Sequence, residues 1–244
     1  MKWLFPAALS LTVAACAGHS NPGLRSGPPS ANVAAAALAG GMPEAAISIS
    51  RAILETDPHN VPALLRQGEA LVVLGHPPEA EECFRRAIAA APRSDVAFLD
   101  LGRLQLSNGQ PAQAEASFRS ALAIKPNQPM ALNDLGVALD LQGRHAEAQA
   151  VYRSALAAAP QDTAARVNLS LSLAMDQQAD QAVPALLAVA ATANAGPRVR
   201  QDLAFALTMR GATKEAQDVL AADLPPDQVS DTLAGFEAFR SGSP

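Results

Sequence analysis

Displaced by 34 residues and laid over itself, the sequence returns the same residue types to the same places. Pro58, Pro92, Pro126 and Pro160 coincide, as do Gly68, Gly102 and Gly136. A second glycine row runs through Gly41, Gly75, Gly109, Gly143 and Gly211. Ala46, Ala80, Ala114, Ala148, Ala182 and Ala216 hold one position in consecutive units. Phe84, Phe118 and Tyr152 hold another, and Ala87, Ala121 and Ala155 a third. A fixed period constrains the fold more than composition does, because a short unit buries its apolar face only by stacking on its neighbours. Within a unit, apolar residues recur three and four apart, as in Leu64, Leu71 and Leu74 or Leu132, Leu135 and Leu139. No β-branched run alternates long enough for a strand. An all-α chain is predicted.

These small, aromatic and closing-proline positions resemble the tetratricopeptide repeat. The resemblance implies a solenoid over 31–240, built from about six helix pairs, with helix A and helix B in each. The clearest units are 61–94, 95–128 and 129–162. Gly68, Gly102 and Gly136 fall mid-helix, where glycine costs about 1 kcal/mol against alanine. That placement predicts a close approach of helices A and B, with Phe84, Phe118 and Tyr152 as core knobs between helices. Gly75, Gly109 and Gly143 suit a left-handed stop to helix A. Pro43, Pro77 and Pro111 follow in the first turn of helix B, and Pro92, Pro126 and Pro160 close it.

The outer units are less regular. Unit 27–60 has a weak first helix, SANVAAAALAG, behind Pro28 and Pro29. In unit 163–196, Gln177 takes the turn-glycine position and Pro184 falls inside helix B, where an irregular or kinked helix is expected. Unit 197–230 keeps Leu203, Gly211 and Ala216 but lacks the final proline. Val229, Leu233, Phe236 and Phe239 then share one helical stripe, so a closing helix over 226–240 is expected to cap the array.

The beginning of the chain reads differently. Lys2 precedes a short apolar run from Trp3 to Val13, broken by Pro6. That is short of the roughly 20 apolar residues of a bilayer span. A basic start, a short apolar core and a small-residue exit describe a secretory leader. Val13-Ala14-Ala15-Cys16 resembles the lipobox of bacterial lipoproteins. The resemblance implies removal of residues 1–15 and lipidation of Cys16. Ala17 is not the aspartate that typically retains such proteins at the inner membrane, so an outer-membrane anchor facing the periplasm is implied. Residues 16–30, rich in Gly, Pro and Ser after the cysteine, read as a flexible tether. Without residues 1–15 the formal charge moves from −5 to −6, since Lys2 leaves and no acid does. Such a chain has no basic footprint for nucleic acid.

Chemistry-bearing constellations are missing from the sequence. His19, His59, His76 and His145 lie in the tether or in inter-helix turns, without the spacing of a metal site. Cys83, beside Phe84, reads as a small buried hydrophobe. Glu79, Glu81 and Glu82 begin a helix B, where carboxylates suit the positive end of the dipole. No Gly-rich phosphate loop and no Gly-x-Ser-x-Gly turn occurs. The expectation is a non-catalytic protein with no cofactor and no metal.

What remains is a binding surface. Stacked helix pairs form a concave groove lined chiefly by the first helices. By the pattern of the repeat family, the groove residues are Leu65 and Glu69, Leu99 and Arg103, and Asn133, Val137 and Asp140. Val167 and Leu171 continue the row, followed by Arg198, Gln201 and Phe205. The row lacks the paired Lys and Asn with which chaperone-tail-binding repeats clamp a terminal carboxylate. The C-terminal third, with Pro197-Arg198-Val199-Arg200-Gln201 before the last unit, is similar to tight-adherence (Flp) pilus assembly lipoproteins of the TadD type. That resemblance implies a pilotin-like scaffold whose partner is an outer-membrane secretin or another pilus component. The alternative is a general periplasmic adaptor serving envelope enzymes or outer-membrane protein assembly.

Overall fold

The computed structural model describes residues 30–192 and 195–242. The leader, Cys16 and the tether up to residue 29 lie outside the described residues. Thirteen helices and no strand are present among the described residues. They pair as α1 (Ala31–Ala39) with α2 (Pro43–Thr56), α3 (Val61–Val73) with α4 (Pro77–Ala90), and α5 (Asp95–Ser107) with α6 (Pro111–Ile124). The succession continues with α7 (Pro129–Asp140) and α8 (His145–Ala158), α9 (Thr163–Met175) and α10 (Ala179–Ala190), and α11 (Pro197–Arg210) and α12 (Thr213–Leu220). A single helix, α13 (Pro226–Ser241), ends the array. The chain is an all-α solenoid of helix pairs, as the period predicts.

Local signals recur with the period. Each turn glycine adopts the left-handed conformation, from Gly109 at φ 70° to Gly211 at φ 86°. Gln177 is forced into the same conformation at φ 59°, the only non-glycine to do so among the described residues. Two residues past the repeat-closing proline, a polar side chain caps the next helix A. Asn60 accepts from the Ala63 N–H at 3.1 Å, Ser94 from Ala97 at 3.3 Å and Asp162 from Ala165 at 3.1 Å. Gln128 holds the equivalent place but makes no such cap.

Inside each pair, helices A and B meet through a ring. Phe84, Phe118 and Tyr152 are fully buried. A Cβ added to Gly68 or Gly102 would stand 2.5 Å from a ring carbon of Phe84 or Phe118, and one at Gly136 would clash with Tyr152. Glycine there makes room for the aromatic. Pro184 does not interrupt its helix: α10 runs unbroken from Ala179 to Ala190, and the proline sits on the exposed side. Proline cannot donate the i to i−4 bond, yet the helix continues through it.

Between pairs, helices α1, α3, α5, α7, α9, α11 and α13 each touch the next of their series. The second helices of successive pairs do not touch one another among the described residues. The first helices are therefore crowded on the inside of the curve and the second helices splayed on the outside, which makes the first-helix face concave. Polar clamps tie neighbouring pairs together. The buried Glu115 on α6 accepts from Arg144 at 2.7 Å and from Gln142 at 2.8 Å, both in the α7–α8 turn. At the far end α13 buries Val229 and Leu233 against the last pair.

Candidate functional site

The concave face presents one helix after another, and equivalent positions along it fare differently. Leu65 on α3 and Leu99 on α5 are 6% and 4% exposed, so they belong to the inter-helix cores and offer the groove little surface. Val137, Val167 and Leu171 are half-buried. Asn133 on α7 accepts from the Asn168 side-chain amide on α9 at 2.9 Å, a bridge across the groove floor.

Asp140 has a structural occupation. Its carboxylate accepts from Tyr152 Oη at 3.0 Å and Ser172 Oγ at 2.7 Å, and pairs with His145 Nδ1 at 2.8 Å. Burial, together with the Asp140 charge, drives the Tyr152 phenol far above its ordinary pKa. The hydroxyl therefore stays a proton donor, and this carboxylate is committed to joining α7, α8 and α9.

At the C-terminal end the closing helix reaches into the face. Phe205 on α11 packs edge-on against Phe236 and Phe239 of α13, with ring centroids 5.3 and 5.5 Å apart. The groove ends there. Gln201 is half-buried and Arg198 exposed. Arg200, two residues on from Arg198, is taken up by Asp223, donating from Nε at 2.5 Å and from Nη2 at 2.6 Å. Those hydrogen bonds hold the Asp223 carboxyl below its usual range. This arginine braces the last unit.

The structure brings Glu69 and Arg103 together with residues that the family pattern did not single out. Position six of helix A carries Asp100, Asp134, Asn168 and Asp202, strictly 34 residues apart. The signal was present in the register, but a row of acids on helices reads as an ordinary solvated face until the curvature is known. Arg66 lies 2.7 Å from Glu69, and Arg103 Nε donates to Asp134 at 2.7 Å. Between these two ion pairs stands Asp100, which makes no hydrogen bond or ion pair, and its Oδ2 is shut away from solvent. Burial pushes its carboxyl up to about 6 against the pull of Arg103 and Arg66. Glu69 is raised as well, first by burial, and the Asp100 charge adds to this while Arg66 opposes it. Asp202 is raised by burial, with Arg198 opposing.

These side chains surround a hollow of about 240 Å³ between α3 and α5, lined by Glu69, Val72, Phe84, Asp100, Arg103, Leu104 and Ser107. Its floor and sides are apolar and its rim is charged. Among the described residues no three His, Cys, Asp or Glu side chains converge as metal ligands, and no helix is long and apolar enough to cross a membrane. Cys83 is buried, and burial raises its thiol pKa.

Comparison with known proteins places this face in context. The sequence matches the tetratricopeptide-repeat family over 32–95, 65–129, 99–163 and 133–197. The chain belongs to the tetratricopeptide-repeat family. The repeat protein therefore shares a fold that serves as a scaffold for protein interactions. No curated protein matches the sequence at a significant level.

Among solved structures, the repeat protein is similar to PilW, described as a widely conserved type IV pilus biogenesis factor. The two are 25% identical with a TM-score of 0.73, over 84% of this chain and 96% of that one. It is also similar in fold to Pseudomonas aeruginosa PilF, at 17% identity and TM-score 0.71, covering 84% and 95% of the two chains. YrrB, a repeat protein with an unusual peptide-binding site, aligns at 15% identity and TM-score 0.62, over 76% of this chain and 96% of that one.

Proposed function

We propose that this repeat protein is an outer-membrane-anchored, non-catalytic scaffold that assists assembly or localisation of a tight-adherence (Flp) pilus secretion apparatus. Its partner in this reading is the secretin, toward which it acts as a pilotin. The observation that carries the reading is the likeness to PilW, which spans nearly all of that pilus biogenesis factor. The Pro197–Gln201 segment and the lipobox-like Val13–Cys16 stretch support the finer assignment to a lipid-anchored, tight-adherence component. Acyl chains contribute about 0.8 kcal/mol per buried CH₂, and more than one chain is needed for stable anchoring. The lipid would hold the solenoid beside the membrane in which a secretin inserts. The concave face would then engage a segment of the partner.

A scaffold without catalytic groups acts only through differential binding, so its loss appears as failed assembly. Deletion is expected to abolish surface pili and leave the secretin reduced, mislocalised or unassembled, while prepilin is still made and processed. Cys16→Ser is expected to end acyl labelling and outer-membrane fractionation. Electron microscopy of pili, together with secretin multimers resolved on mild-detergent gels, reads the first outcome. Deletion strains with normal pili and normal secretin would replace this reading with the general periplasmic adaptor.

A further inference from the structure

We propose that the hollow between α3 and α5 receives a lysine or arginine side chain from an extended segment of a partner protein, with Asp100 as its counter-ion. This rests on the reading of the concave face as a protein-binding surface. The charge arrangement carries it. Both neighbouring arginines are already engaged, Arg66 with Glu69 and Arg103 with Asp134, each at 2.7 Å. Asp100 between them has no donor from the protein. An anion entering the hollow would meet two carboxylates, Asp100 and Glu69, against one lining cation, Arg103, whose charge is already shared with Asp134. An ammonium or guanidinium would supply a charge-assisted hydrogen bond at Oδ1, the oxygen of the Asp100 carboxylate that is not closed off.

The shape agrees with the charge. Phe84 and Leu104 form a buried apolar base, and Val72 stands 41% exposed at the side. Basic side chains lay their methylene stems along such surface and keep the charged head at its polar edge. The Asp100 carboxylate is also partly desolvated before any ligand arrives, because its Oδ2 is already closed off. Less solvation is then lost on binding, which is the advantage of a preorganised site. Val96 and Met130, at the second positions of α5 and α7, are exposed apolar side chains on the same series of helices. They give footing to the residues that flank the basic one.

The test displays random short peptides to the full-length protein, to Asp100→Asn, and to Asp180→Asn as a control on an exposed face of α10. Peptides selected by the unaltered protein are expected to share one aligned lysine or arginine. A fluorescein-labelled winner should bind about tenfold more weakly when that residue is norleucine, and equally weakly to Asp100→Asn. Asp180→Asn should bind it as the unaltered protein does. Since the Asp100 carboxyl titrates near about 6, binding should weaken as pH falls from about 7.5 to about 5.

Winners without a shared basic residue, or basic winners held equally by Asp100→Asn, overturn the proposal. So does competition by n-butylammonium alone at the peptide's own potency, which would make the hollow a small-amine site. These outcomes leave the pilus assignment standing, since that is read from pili and secretin in deletion strains. A normal deletion strain with a base-selective hollow would remove the pilus assignment and keep this site.

Discussion

Asp100 and Glu115 are both largely buried carboxylates, and the fold treats them in opposite ways. At Asp100 burial raises the pKa to about 6, and Arg103 and Arg66 only moderate it. An acid whose folded pKa exceeds its unfolded value of about 3.9 favours the folded state less as pH rises through that interval. Asp100→Asn is therefore expected to raise stability at about pH 7.5 by roughly 1–3 kcal/mol, with the gain vanishing near about pH 4. At Glu115 burial also raises the pKa, but hydrogen bonds from Gln142 and Arg144 and the charges of Arg119 and Arg144 outweigh it, so the net shift is downward. Its stabilising contribution is present above the unfolded pKa of about 4.3 and lost as pH falls through the lower folded value. Glu115→Gln should destabilise at neutral pH, with the difference fading in acid. Thermal melts of both variants across pH check the pair; parallel slopes would contradict the assignment of one carboxylate as unpaired and the other as clamped.

At the scale of the helix pair, the contact between the mid-helix glycine and the ring is the sharpest packing constraint. Gly102→Ala gains about 1 kcal/mol of helix propensity in an isolated helix. In the protein its Cβ would lie 2.5 Å from Phe118, which is fully buried and has nowhere to move. Overpacking of this kind costs about 1–3 kcal/mol, so a net fall in melting temperature is expected. Phe118→Leu in the same chain should make Gly102→Ala less harmful than it is alone, a coupling that a double-mutant cycle measures. Full additivity of the two would deny the contact.

That contact was legible in the sequence because both partners recur in register. The left-handed turns were legible for the same reason, and Gln177 betrays its φ of 59° by standing where its equivalents are glycine. The Asn60, Ser94 and Asp162 caps are periodic as well, though hidden by their differing residue types. The site was less legible, because curvature decides which side of a first helix reaches the groove. Leu65 and Leu99 lie in the cores, and Asp140 is tied by three partners from α8 and α9. The hollow at Asp100 depends on which arginine faces which acid, and no spacing rule encodes that choice.

For the whole molecule, stability is a sum of pair stabilities and nearest-neighbour interfaces, so an end behaves unlike the middle. The closing helix α13 is the test of this. It buries Val229 at 3% exposure and Leu233 at 9%, and sets Phe236 and Phe239 against Phe205. Burying one such aliphatic side chain contributes about 1.5–3 kcal/mol, so loss of the helix removes several kcal/mol from one interface only. Truncation after Leu224 should therefore strip hydrogen-exchange protection from α11 and α12, whose apolar face it uncovers, while amides of α5 to α8 keep theirs. The short α12, with eight residues, should open first. Phe205 would become accessible at the end of the groove, and a hydrophobic dye should report it. Equal loss of protection along every pair would show one cooperative unit in place of a stack. Retention of protection in α11 and α12 would show that the last pair holds its own face, and α13 would then be an appendage to the groove and not the cap of the array.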